Sequence, residues 1–238
     1  MDIITELKKS KKFIEGRNSS LELCNCEKCR ISKYRHTHEP NLSDPNHSYW
    51  NYLKYCIEQV KVDGIWMEFG VGSGKSISFI AENKLNKKIY GFDSFDGLPE
   101  DWVFSDKKTY RKDTYSRNGI PPEIKHNNIE LIKGMFIDTL PTFCLNIKEQ
   151  AAFIHIDCDL YSSTKQVLDI LNSNLMIGNG TIILFDEFYN YQNFEKYEYK
   201  AFIDFIEEAK LKYEWIAHTE SFVDWNGNQC ALIIKDYR

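Results

Sequence analysis

From Gly64 onward, short continuous apolar runs alternate with segments of helical period, and few folds accommodate that alternation. Apolar runs occupy residues 65–69, 88–92, 129–132, 151–156 and 181–185, with helical segments at 76–83 and 164–171. Strands apolar at successive positions are buried on both faces, and intervening helices impose parallel pairing with right-handed crossovers. The chain is therefore expected to form an α/β domain with a doubly wound, mostly parallel sheet.

The flanks complete this expectation. Trp50, Leu53, Ile57 and Val60 recur at three- and four-residue steps and predict an amphipathic helix leading into the sheet. Near the end, a helix over 199–210 is followed by apolar runs at 214–218 and 229–234, with Asn226-Gly227 as a tight turn; an antiparallel C-terminal hairpin is expected. Residues 8–47 are polar and carry no sustained apolar period. The expected division is an N-terminal arm or lid at 1–48 and one α/β domain at 49–238. Residues 96–127 hold Gly97, Pro99, Gly119, Pro121 and Pro122 among charges and aromatics. Such a stretch is too long for an ordinary connection and predicts an insertion that contacts substrate.

A length of 238 residues suits one core of this class. The net charge of -5 disfavours nucleic acid as a partner. No apolar stretch approaches the roughly 20 residues that span a bilayer, and the start lacks an apolar leader segment, so the expectation is a soluble cytoplasmic protein with no membrane partner. Cys56, Cys144, Cys158 and Cys230 sit in apolar segments and read as reduced buried thiols. Cys24, Cys26 and Cys29, followed by His36 and His38, hold enough ligands for zinc but at irregular spacing, and a chance cluster of thiols is favoured.

The chemistry concentrates first at Glu68-Phe69-Gly70-Val71-Gly72-Ser73-Gly74-Lys75-Ser76, where a strand meets a helix start. Glycines there let the backbone approach a ligand, and a helix N-terminus offers N–H groups. A phosphate-binding P-loop needs four residues between its first glycine and Gly-Lys-Ser, and only three intervene; a dinucleotide fingerprint needs glycine at Lys75. An acid beside the turn suits a cationic ligand, and S-adenosylmethionine carries an ammonium and a sulfonium but no phosphate. On this reading Glu68 faces the methionine end. Asp93, ending the second strand 19 residues beyond Gly74, accepts both ribose hydroxyls.

These residues resemble the class I S-adenosylmethionine-dependent methyltransferases of the macrocin O-methyltransferase type. The resemblance rests on the glycine block, on Gly91-Phe92-Asp93-Ser94-Phe95-x-Gly97-Leu98-Pro99 and on Lys133-Gly134-x-Phe136-x-Asp138-Thr139-Leu140-Pro141. Two further blocks carry it, Ile156-Asp157-x-Asp159-x-Tyr161-x-Ser163-Thr164 and Asp186-Glu187. It implies a Rossmann-like sheet of seven strands and a methyl donor held by Glu68, Gly70, Gly72, Gly74, Ser76 and the Asp93-Ser94 pair, with adenine near Gly134 and Phe136. It further implies a hydroxyl acceptor on a sugar of a glycoside, glycan or natural product, a homo-oligomer, and Mg²⁺ held by Asp157, Asp186 and Glu187. The family more often has a second aspartate where Glu187 stands.

The acids carry weight without the name. Asp157 and Asp186 each follow an apolar run at the carboxyl edge, where open α/β sheets bind ligands. Carboxylates meeting there repel one another unless a cation or proton intervenes, and their hard oxygens suit Mg²⁺; a metal-free carboxylate cluster is the alternative. Asp157 is the expected acceptor of the hydroxyl proton. Asp159 reads as a helix cap, His155 as a hydrogen-bonded core histidine, and His36, His38 and His47 as exposed. Tyr49, Trp102, Tyr110 and Tyr115 can stack on a sugar. The rival functions are a metal-free small-molecule methyltransferase, a kinase, a nucleic-acid base methyltransferase, and a non-catalytic or hydroxylase-like relative of the same fold.

Overall fold

The computed structural model describes residues 3–7, 12–15, 48–220 and 228–236. The apolar runs form the parallel strands β2 (Ile65–Phe69), β3 (Ile89–Asp93), β6 (Ile129–Lys133), β7 (Ala151–Ile156) and β8 (Ile182–Tyr189). Every residue of β2 and β7 is buried, as strands covered on both faces must be. The antiparallel pair β9 (Lys212–Glu220) and β10 (Asn228–Asp236) extends the sheet beyond β8. These seven strands are the expected set. An eighth, β1 (Lys12–Glu15), pairs parallel with β9, giving the order β1-β9-β10-β8-β7-β2-β3-β6.

Helices cover both faces. On one side α2 (Ser48–Gln59) and α3 (Lys75–Asn83) pack Leu53, Ile57, Ile77 and Ile80 against Trp66, Phe153 and Leu184. On the other, α4 (Phe136–Asn146), α5 (Tyr161–Ser173) and α6 (Glu198–Ala209) bring Phe143, Val167, Phe202 and Phe205 onto Phe92, Ile154 and Phe185. The short α1 (Ile3–Leu7) buries Leu7 in this second layer. The turn at Asn226-Gly227 lies outside the described residues, as do Cys24, Cys26, Cys29, His36, His38 and His47. Cys56, Cys144, Cys158 and Cys230 are buried free thiols.

The insertion carries a small hairpin, β4 (Trp102–Ser105) and β5 (Lys108–Tyr110). Trp102 and Phe104 pack with Leu98, Leu160 and Tyr191, and the Val103 N–H donates to the Tyr197 hydroxyl at 2.7 Å. The hairpin is thereby fixed over the carboxyl ends of the strands. Among the described residues no helix is long and apolar enough to cross a membrane.

Candidate active site

A cavity of about 1020 Å³ opens at the carboxyl edge of the sheet. Its floor is the turn from β2 into α3. Gly70 has φ +89, and a Cβ there would lie 1.8 Å from the Asp157 carbonyl oxygen, so only glycine lets the β2 and β7 ends close on each other. Gly72, at φ +50, has the opposite surroundings: a Cβ would meet nothing within 4 Å. Its bare backbone faces the cavity. Gly74 occupies the N-cap of α3 and supplies no side-chain cap.

Asp93 organises this turn. Its Oδ2 accepts the Val71 and Gly72 N–H groups at 2.9 and 2.8 Å, and its Oδ1 accepts the Phe95 N–H at 2.7 Å. The cause is register: Phe92 lies opposite Phe69, so Asp93 falls beside the turning backbone. A carboxylate offers about four acceptor positions. Three are taken by the backbone of the turn, and one is left for a ligand. Ser94, Gly134 and Phe136 line the same wall, joined by Met135, which sequence reasoning did not single out. The Phe136 ring meets Phe69 edge-on at 5.5 Å.

Glu68 does not line the cavity, contrary to its expected place beside a ligand. Alternation along β2 turns it beneath the loop, fully buried, where Oε1 accepts the Ser76 hydroxyl at 3.1 Å and Oε2 lies 2.9 Å from His155 Nδ1. Ser76 itself reaches the cavity wall. Burial raises the Glu68 carboxyl above its ordinary value of 4.5, opposed by His155 and Ser76. The folded state therefore holds this proton more tightly than the unfolded chain, and the stability it contributes is present below 4.5 and lost as pH rises through the raised value. Glu68→Gln cannot titrate, so its melting temperature should gain on the parent's as pH climbs from 4.5 to neutrality. Parallel melting profiles would refute this.

Asp157, Asp186 and Glu187 converge on the far wall, with one ligand atom from each lying within 4.8 Å of the others. Like charges at that distance repel by about 3 to 4 kcal/mol per pair at an effective dielectric near 20, a repulsion that a bound cation would relieve. Three hard oxygens facing a cavity fit Mg²⁺. Asp159, expected to cap α5, stands one residue before its N-cap position. The N-cap is Leu160, and Asp159 is held at φ +61 on the cavity wall beside Asp157.

Behind the acids lies Glu198, a second residue that sequence reasoning did not find. Fully buried in the first turn of α6, it accepts the Cys158 and Glu187 N–H groups at 3.4 and 3.3 Å, tying the ends of β7 and β8 together. Burial, reinforced by the charges of Asp159 and Asp186, pushes its carboxyl well above the usual carboxylate range. In the sequence it stands one residue before the helix expected over 199–210, with no motif to mark it.

Tyr49, Trp102, Tyr110 and Tyr115 all reach the cavity. Trp102 stacks on Tyr110 at 4.8 Å with an interplanar angle of 20°. Tyr115 continues this wall at 5.7 Å from Tyr110 and is 56% exposed.

The family model of the macrocin O-methyltransferases (TylF) matches residues 49–225. The chain belongs to this family. A relative from Streptomyces olivaceus, 8-demethyl-8-(2,3-dimethoxy-alpha-L-rhamnosyl)-tetracenomycin-C 4'-O-methyltransferase, is 31% identical over 152 residues, covering 55% of this chain. The match spans 57% of that relative's own length. Among solved structures, the O-methyltransferase NovP superposes with a TM-score of 0.55 at 18% identity, covering 79% of this chain and 80% of its own. CalS11, the TDP-rhamnose 3'-O-methyltransferase of calicheamicin biosynthesis, gives 0.51 at 20% identity, covering 78% and 79%. At these identities the two structures establish a shared fold. β10 lies beyond the residues matched by the family model.

Proposed function

We propose that this chain of the macrocin O-methyltransferase family transfers a methyl group from S-adenosylmethionine to a sugar hydroxyl of a glycoside, glycan or natural product, assisted by Mg²⁺. One observation carries the reading: a single cavity joins the bare glycine turn to three clustered carboxylates beneath an aromatic wall. Donor and acceptor can then lie end to end. The rhamnosyl and TDP-rhamnose acceptors named for two relatives agree with such a wall.

In this reading the Gly70–Gly74 turn and Ser76 receive the methionine portion. Asp93 keeps the turn in shape and offers its remaining acceptor position to one ribose hydroxyl, while Ser94, Gly134 and Phe136 bound the nucleoside. Glu68 acts from below, by fixing Ser76. Mg²⁺ held by Asp157, Asp186 and Glu187 would lower the pKa of an acceptor hydroxyl. Asp157 takes that hydroxyl's proton at its carboxylate, and Trp102 with Tyr110 orients the sugar face and excludes water. Alignment of two bound reactants supplies on the order of 7 kcal/mol or more, so positioning does most of the work. The homo-oligomeric state and cytoplasmic location belong to the same reading and are read by size-exclusion chromatography and cell fractionation.

Calorimetry with S-adenosylhomocysteine, followed by transfer of labelled methyl to a panel containing rhamnosides and TDP-rhamnose, tests the proposal. Expected are stoichiometric uptake of the nucleoside, none of ATP, and label in at least one hydroxylated sugar. Absence of uptake would overturn it; uptake of ATP alone would favour a kinase. Uptake without transfer across the panel would favour a non-catalytic relative.

A further inference from the structure

The C-terminal strand reaches into the acid cluster through one side chain. Gln229, on β10, is fully buried and donates from Nε2 to Asp186 Oδ1 at 2.7 Å. Its amide cannot be turned over without loss. Oε1 accepts the Thr219 hydroxyl at 3.2 Å, and that same hydroxyl oxygen accepts the Gln229 backbone N–H at 2.9 Å. Thr219, also buried, thus spends its one hydroxyl proton on Oε1, which fixes the amide so that its N–H side faces Asp186.

The backbone around this contact is irregular in a matching way. β10 pairs Cys230 with Phe185 and Asn228 with Tyr189, so a single residue, Gln229, stands opposite Asp186, Glu187 and Phe188 of β8. In a regular strand Asp186 and Glu187 would point to opposite faces. Here both line the cavity. Bulges re-aim side chains beside active sites, and this one places two successive acids on one wall while seating the amide that holds the first.

From the fixed amide and the bulge together, we infer that Gln229, oriented by Thr219, is a positioning residue for Asp186: by donating to Oδ1 it holds the carboxylate in the orientation that presents it to the cation bound by Asp157, Asp186 and Glu187. The inference rests on the proposed reading of that trio as a divalent-metal site. It gives the C-terminal hairpin a task, since β10 carries the amide that donates to Oδ1. A neutral donor suits the place, because a second carboxylate there would add to the repulsion within the trio.

The test uses Mn²⁺ as the probe, titrated by electron paramagnetic resonance into the full chain and into Gln229→Met, Thr219→Val, the double variant and Asp186→Asn. Outer partners of metal ligands typically contribute 10- to 100-fold in affinity, so Gln229→Met should weaken Mn²⁺ binding roughly 10- to 100-fold. Thr219→Val should weaken it less, and the double variant no more than Gln229→Met alone, since Thr219 acts through the amide. Affinity for S-adenosylhomocysteine should stay at the parent's value in all, a result that general loosening of the fold would not give. If Gln229→Met does not fold, Thr219→Val decides by the same two measurements. Mn²⁺ binding at parental strength in the variants, with Asp186→Asn impaired, would overturn the inference alone. A parent chain that takes up the nucleoside but no Mn²⁺ would overturn the metal reading and this inference with it.

Discussion

Asp157→Asn should abolish methyl transfer while leaving S-adenosylhomocysteine affinity at the parent's value. The substitution preserves size and one carbonyl-type acceptor, and the backbone at this position is held independently of the side chain. The Asp157 N–H donates to the Phe69 carbonyl at 2.9 Å, and its own carbonyl packs against Gly70. What is lost is a charge in the trio and the basicity of the residue 157 side chain, because the amide of asparagine does not take a proton at neutral pH. General-base contributions run at roughly 100- to 10,000-fold, and loss of a metal-binding oxygen from the trio adds to that, so turnover should fall at least into this range. Labelled-methyl transfer reads the rate and calorimetry reads the nucleoside. A variant that turns over at the parental rate removes Asp157 from the mechanism; one that loses nucleoside affinity in step with rate places it in the donor pocket instead.

The strands were legible because continuous apolar runs leave little choice but burial on both faces, and the runs at 65–69 and 151–156 coincide with β2 and β7. α4 was not read as a helix. Pro141 stands in its interior, where proline ordinarily breaks a helix, and only tertiary packing of Leu140, Phe143 and Cys144 shows why the helix persists. Asp159 looked like a cap because an acid preceded a helical pattern, yet the cap position falls one residue later, at Leu160. Spacing could say that Asp93 and the glycine turn share a site, but not which donors reach its carboxylate first. Glu198 and Gln229 left no motif at all: each is an ordinary residue in a helix or strand until the sheet order brings β10 against β8 and α6 behind both. Acids that face the cavity were therefore readable from their place after apolar runs, whereas the groups that hold those acids depend on contacts between distant parts of the chain.

The second large effect is expected at Asp93, and there it should fall on the donor rather than on chemistry. Asp93→Asn replaces one carboxylate oxygen by an NH₂ group, which cannot accept a hydrogen bond. Whichever way the amide turns, it sets a donor against a donor: against Val71 and Gly72 in one orientation, against Phe95 in the other. Hydrogen bonds to a charged acceptor contribute about 1.5 to 3 kcal/mol each. Loss of one such bond with a repulsive contact in its place corresponds to at least about a 10-fold change, and loss of two to about 100-fold or more. Because Gly72 has open space above it and relies on Asp93 for its conformation, the loosened turn closes into the volume that the nucleoside would fill. Calorimetry should show S-adenosylhomocysteine affinity falling by roughly 10- to 100-fold, with Mn²⁺ binding at the acid trio retained. Unchanged nucleoside affinity would mean that the turn keeps its shape without Asp93, and the donor would then have to be held elsewhere along the cavity. The pairing of results matters more than either alone: Asp93→Asn weakening the nucleoside but not the ion, and Asp157→Asn sparing the nucleoside but not turnover, would divide one cavity into a donor half and an acceptor half along the line between β3 and β7.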